Sequence, residues 1–165
     1  MLKKCLLFTL FLLTACAAEN DVGYRYCPNV SIVPEYSRAT EFFGNGAHFK
    51  AEIAGYEGYC RYNQKNNQTY ASITPIFEIT RLSDTGGKSV EIAYYADTSD
   101  NDDKLMGRQH HSFRTTVDKK GEKVLVNGKE MMVLIPNDQP GYRINLGIDL
   151  TKKQYMYNRK QGLQY

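Results

Sequence analysis

The stretch Tyr142-Arg143-Ile144-Asn145-Leu146-Gly147-Ile148-Asp149-Leu150 decides how this chain is read. Apolar side chains occupy every second position, at Tyr142, Ile144, Leu146, Ile148 and Leu150. That period belongs to a half-buried strand, because successive side chains of a strand point to opposite faces of the sheet. Directly behind it, Thr151-Lys152-Lys153-Gln154 has the form of a capping box and opens one short helix.

Working back from this anchor, the same alternation recurs through the body of the chain. Asn29 to Val33 is a first run, stopped by Pro34. In His48 to Ile53, Phe49, Ala51 and Ile53 share one face, and Gly55-Tyr56-Glu57-Gly58 reads as a turn into Tyr59 to Tyr62. The polar run Asn63 to Gln68 reads as a hairpin loop. Tyr70 to Arg81 is a long strand, in which Pro75 predicts an edge position or a bulge. Ser89 to Ala96 and Gln109 to Val117 flank an acidic loop, Asp97 to Lys104. Asn127-Gly128 is a strong hairpin signal. Met131 to Ile135 is apolar on both faces. Seven or eight strands with almost no helix predict an all-β fold: an antiparallel, immunoglobulin- or fibronectin-III-like β-sandwich with a short C-terminal helix.

The other end of the chain is different in kind. Lys3 and Lys4 precede an apolar run from Cys5 to Leu13, too short to span a bilayer, which takes about 20 apolar residues. A charged start followed by a short apolar run has the shape of a secretory signal. It ends in Leu13-Thr14-Ala15-Cys16, which resembles the bacterial lipobox. The expected division is a cleaved signal peptide at 1–15, a lipidated Cys16 with a tether over 16–26, and one β-sandwich domain over 27–165. Acyl chains on Cys16 would hold the protein on a membrane facing the periplasm, since each buried methylene contributes about 0.8 kcal/mol. Ala17 lacks the Asp that acts as an inner-membrane retention signal in enteric bacteria, which favours the outer membrane.

Cys5 leaves with the signal and Cys16 takes the lipid, so Cys27 and Cys60 remain. An even pair in an oxidising compartment predicts one disulfide. Lys+Arg total 21 and Asp+Glu 18, and removing Lys3 and Lys4 leaves a net charge of +1 on the rest. Without a clustered basic face, nucleic acid is not an expected partner. Thirteen tyrosines and an aromatic content of 12% place the chain far from disordered compositions.

Several short motifs line up along the mature part: Cys27-Pro28, Gly58-x-Cys60-x-Tyr62, Ile135-Pro136, Tyr142-x-Ile144-x-x-Gly147 and Leu150-Thr151-x-x-Gln154-x-x-Tyr157-Asn158-Arg159. Together with the leader they resemble an uncharacterised family of small lipoproteins from alphaproteobacteria, over most of residues 13 to 160. Ile148-Asp149 departs from the Phe-Gln pair expected there. The resemblance implies the leader, the cysteine pair and the strand-then-helix ending, and carries no reaction and no catalytic residue.

Candidate sites divide by chemistry. Asp97, Ser99, Asn101 and Asp103 mimic the first ligand positions of a calcium loop, but Asp102 stands where that loop needs Gly and Arg108 where it needs Glu. His110 and His111, even with His48, make a poor metal site, because neighbours on a strand point apart. Tyr56, Tyr59 and Tyr62 cluster near the disulfide and are the candidate ligand-binding residues, since tyrosine rings stack on sugars with their hydroxyls hydrated. There is no nucleophile elbow and no phosphate-cradling glycine loop, so no catalytic residue, metal or cofactor is expected. The expected role is a non-enzymatic protein-interaction module in an envelope assembly, the alternative a glycan, peptidoglycan or calcium binder.

Overall fold

A computed structural model describes residues 27–137 and 140–161. It contains nine strands: β1 (Asn29–Ile32), β2 (Arg38–Phe43), β3 (Gly46–Asn63), β4 (Gln68–Arg81), β5 (Ser89–Ser99), β6 (Leu105–Thr116), β7 (Lys123–Asn127), β8 (Met131–Pro136) and β9 (Arg143–Ile148). A single 3-10 turn lies at Pro34–Tyr36, and one helix, α1 (Lys152–Lys160), follows β9. One sheet has the order β1-β9-β5-β6. The other runs β2-β3-β4-β7, with β8 also paired to β4. One of the two sheets curls into a half-barrel. The expected seven or eight strands are therefore nine, because β2 had no clear alternation in the sequence and β7 stands apart from β8. The pairing is also not wholly antiparallel, since β1 runs parallel to β9 from Asn29 opposite Arg143 to Ile32 opposite Leu146.

The alternating apolar residues of both sheets meet in one core. Phe49, Ile73, Phe77 and Ile79 from the five-stranded sheet pack with Ile92, Tyr94, Ile144 and Leu146 from the other. Phe77 is its centre, with ring centroids 5.0 Å from Tyr94 and 4.9 Å from Phe113. Burying such a side chain contributes roughly 1.5–3 kcal/mol, before the cost of ordering it.

Two local readings are corrected by the long strands. Gly55 to Gly58 is not a turn: β3 continues through it, and a bulge between Ile53 and Gly55 absorbs the irregularity. Asn127-Gly128 does not close a hairpin either. β7 pairs with Ile76 to Thr80 of β4 and β8 with Gln68 to Ile73, so the two short strands lie end to end along one long one. Pro75 explains the break. It sits inside the sheet, not at an edge, and its carbonyl accepts from Gly128 N at 2.7 Å. The N–H that proline lacks would point the same way, toward the step from β7 to β8, where no ladder bond is needed.

The capping box at the helix start is formed. Thr151 N donates to Gln154 Oε1 at 2.7 Å, and Gln154 N donates to Thr151 Oγ1 at 3.3 Å. The buried Gln154 and Asn158 then reach the edge strand β2, donating to Glu41 Oε1 at 2.8 Å and to the Arg38 carbonyl at 2.7 Å. An open strand edge is a template for unwanted pairing, and α1 covers this one.

Candidate functional site

The bulge in β3 determines what its second half can do. Before it, Phe49, Ala51 and Ile53 face the core. Ala54 is unpaired, and beyond it Tyr56, Gly58 and Cys60 lie opposite Pro75, Ile73 and Ala71, all buried positions of β4. One extra residue has inverted the alternation. Glu57, Tyr59 and Arg61 consequently point outward. Without that inversion Cys60 would face solvent on the far side of the sheet. With it, Cys60 meets Cys27 at a Cα–Cα separation of 6.0 Å, and the two form a disulfide. Cys27 leads into β1 of the four-stranded sheet, so the bridge ties the two sheets together at one end.

Beside this bridge lies a cleft of about 350 Å³, lined among others by Pro28, Val30, Tyr56, Tyr59 and Ile73 together with the disulfide. That is at the small end for ligand sites, which run about 300–1,000 Å³. Tyr56 Oη donates to the Val30 carbonyl at 3.2 Å and fixes one wall. Gly58 is required by close approach: a Cβ there would come within 2.6 Å of the Ser72 carbonyl. Two of the three candidate tyrosines, Tyr56 and Tyr59, thus border one cleft, although their side chains leave opposite faces of β3. Tyr62 is not among its lining residues and bonds instead to Asn67 Oδ1 at 3.1 Å. Pro28 and Val30 escaped the sequence reading. The signal for the bulge was present, as the inward residues Ile53 and Tyr56 are three apart instead of two.

The outer face of the four-stranded sheet carries charges in cross-strand pairs. Asp97 lies opposite Arg108 and bonds it through both carboxylate oxygens. Glu91 holds Arg114 at 2.8 Å, and Asp149 bonds His110 Nδ1 at 2.9 Å. Among them Tyr95 is buried beneath Tyr36, with the Arg108 guanidinium 4.4 Å from its ring centroid. Burial, and next to it the charge of Asp97, push the Tyr95 hydroxyl up to about 12. The hydrogen bond to Asp97 raises Arg108 above its ordinary value. A tyrosine held protonated and carboxylates held in ion pairs make a fixed surface, not a proton relay.

The histidines do not meet. His110 points outward, whereas His111 packs 5.9 Å from the Tyr94 ring on the inner side, and burial lowers its pKa. His48 is buried elsewhere, its Nε2 2.7 Å from the Gly87 carbonyl. In the acidic segment, Asp97 and Ser99 belong to β5. Asp100 Oδ1 accepts from the backbone of Asp102 and Lys104 at 3.0 Å each, and Asp103 pairs with Arg143. Among the described residues, no group of three or more His, Cys, Asp or Glu is placed to hold a metal ion. Cys16 and the rest of the leader and tether lie outside the described residues. Compared with protein families, curated proteins and solved structures, the chain shows no match.

Proposed function

We propose that the chain is a lipid-anchored periplasmic lipoprotein whose β-domain acts as a non-enzymatic protein-interaction module in an envelope assembly, related to the alphaproteobacterial lipoproteins it resembles. The observation that carries this reading is the Leu13-Thr14-Ala15-Cys16 quartet behind its charged, apolar leader. The Cys27–Cys60 disulfide supports it, because such bridges persist in oxidising compartments. Two packed sheets support the sandwich class. The finer immunoglobulin- or fibronectin-III-like reading is supported only by this two-sheet arrangement, and the consecutive order β2-β3-β4 differs from the Greek-key exchange of those folds. The ion-paired outer face of the four-stranded sheet is the surface for a protein partner, since rim charges set specificity and encounter rate. Two measurements test the proposal. Labelled palmitate should enter the wild type and not Cys16→Ser, which should leave the membrane fraction. A photo-crosslinker at Ser112 should capture one dominant envelope protein in cells, and abundance-weighted captures alone would sink the module.

A second reading is favoured by the cleft at the disulfide. Tyr56 presents aromatic surface there beside hydrogen-bonding groups, which suits a sugar ring. Muropeptides should then raise the melting temperature of the wild type and leave Tyr56→Ala unchanged.

A further inference from the structure

We propose that the outer face of the five-stranded sheet, at the end where β3, β4 and β8 lie side by side, rests on the phospholipid bilayer. This rests on the lipid-anchor reading and adds an orientation to it. The register makes the face. Tyr59, Ser72 and Met132 form one row across the three strands, and Arg61, Tyr70 and Leu134 form the next. Tyr59 and Met132 are each 56% exposed and Leu134 is 52% exposed, so the rows present methionine, leucine and tyrosine to the outside. Two acidic groups lie close by: Glu130 accepts a hydrogen bond from Ser72, and the exposed Glu57 stands one row beyond Tyr59, on the side away from Arg61. Arg61 is exposed and takes part in none of the ion pairs among the described residues.

The chain that leads to this face identifies its occupant. Ten residues separate Cys16 from Cys27, and fully extended they span at most about 35 Å. They end at Cys27, which is bonded to Cys60 on the inner side of β3, the edge strand here, whose neighbours Tyr59 and Arg61 point outward. An anchor in the bilayer therefore delivers its pull at the edge of the apolar rows. The composition matches that neighbour: tyrosine favours the headgroup level, and a long cationic side chain can lie along apolar surface with its charge among anionic headgroups. The opposite outer face, filled with ion pairs, is then turned toward the periplasm.

The chain contains no tryptophan, so one introduced indole reports on one place. The full chain, purified from bacterial membranes in its acylated form, would carry Leu134→Trp, or Ser112→Trp on the opposite face. It would be reconstituted into vesicles of phosphatidylethanolamine and phosphatidylglycerol with brominated acyl chains. The expected result is flotation of both variants, with loss of most indole emission for Leu134→Trp and none for Ser112→Trp. Tyr59→Trp, a conservative change in the adjacent row, gives the same readout should Leu134→Trp fail to fold. Flotation with no quenching at either reporter position on this face would overturn the orientation, leave the anchor standing and return the face to a protein partner. Absence of flotation in the acylated wild type would overturn both.

Discussion

The outer face of the four-stranded sheet and the β3-β4-β8 end of the other outer face are built from the same alternating strands and differ in what stands across the register. On the four-stranded sheet, Asp97 faces Arg108 and Glu91 faces Arg114, so each charge finds its counter-ion one strand away. Even the large aromatic of that face, Tyr95, is sunk beneath Tyr36 and Arg108. On the five-stranded sheet the rows Tyr59-Ser72-Met132 and Arg61-Tyr70-Leu134 present apolar groups that nothing among the described residues covers. The lesson is that alternation sets which residues leave the core, while cross-strand partners set whether they make a finished surface. Exposed ion pairs are worth only about 0–1 kcal/mol each, so the first face is organised for solubility and recognition more than for stability.

The largest effect tests whether the apolar rows are surface at all. On β8, Ile135 is fully buried and its neighbour Leu134 is 52% exposed. Ile135→Ala should destabilise the protein by about 2–5 kcal/mol, through lost burial and the cavity left behind. Leu134→Ala should stay within about 0.5 kcal/mol. Urea denaturation of both variants measures this directly. If Leu134→Ala costs as much as Ile135→Ala, the face is an unrecognised part of the core and the contrast between the two surfaces collapses.

Next in size is the bridge that joins the sheets beside the apolar rows. Its cysteines are 33 residues apart, and closing such a loop restricts the unfolded chain by about 3–4 kcal/mol. Cys27→Ser/Cys60→Ser should lose about that much, with the denaturation midpoint of the double variant matching that of reduced wild type. A loss near zero would show that the bridge ties nothing that the core does not already hold.

A third change strikes the charged face. A Cβ on Gly147 would come within 2.4 Å of the Tyr95 hydroxyl, so the ring lies across the glycine. Gly147→Ala should lift Tyr95 from its seat and cost about 1–3 kcal/mol, as overpacking does. Near-ultraviolet circular dichroism should change with it, since Tyr36 meets Tyr95 edge-on and stacks on Tyr155. An unaltered tyrosine signal would mean that the ring has room and that this face is less fixed than its ion pairs imply.

Much of this could be read before any coordinates. Period-two runs located most strands, and the Thr151 and Gln154 pair located the helix, because both signals are local. What escaped was non-local or depended on parity. The bulge at Ala54 looked like a turn, since Gly55 and Gly58 are turn formers in isolation and only pairing with β4 keeps them extended. Asn127-Gly128 looked like a hairpin because the signal reports a bend, not the partner, and one long strand accepted both neighbours. Of the candidate tyrosines, Tyr56 and Tyr59 border the cleft and Tyr62 does not, bonding to Asn67 instead. The apolar run on both faces of Met131 to Ile135 was legible, whereas its meaning required knowing that β8 is at the sheet's edge.

The smallest expected effect follows the comparison inside a single pair of neighbours. His110 stands on the charged face beside Asp149, while His111 turns inward against Tyr94. Its Nε2 is buried with no hydrogen-bond partner among the described residues. Burial first, and then the nearby Lys129, disfavour the imidazolium and lower its pKa from the ordinary 6.5. The folded state therefore binds a proton less readily than the unfolded chain, and stability must fall as pH drops through the unfolded value. The loss begins near 6.5 and is complete once the pH is below the lowered folded value. Melting curves from about pH 8 to about pH 5, the range in which an unperturbed imidazole titrates, should show this decline in the wild type. Subtracting the profile of His111→Phe cancels what the two proteins share and isolates the inward histidine. A difference profile that is flat across that range would place His111 in water, and the inner side of β6 would then be open where the packing says it is closed.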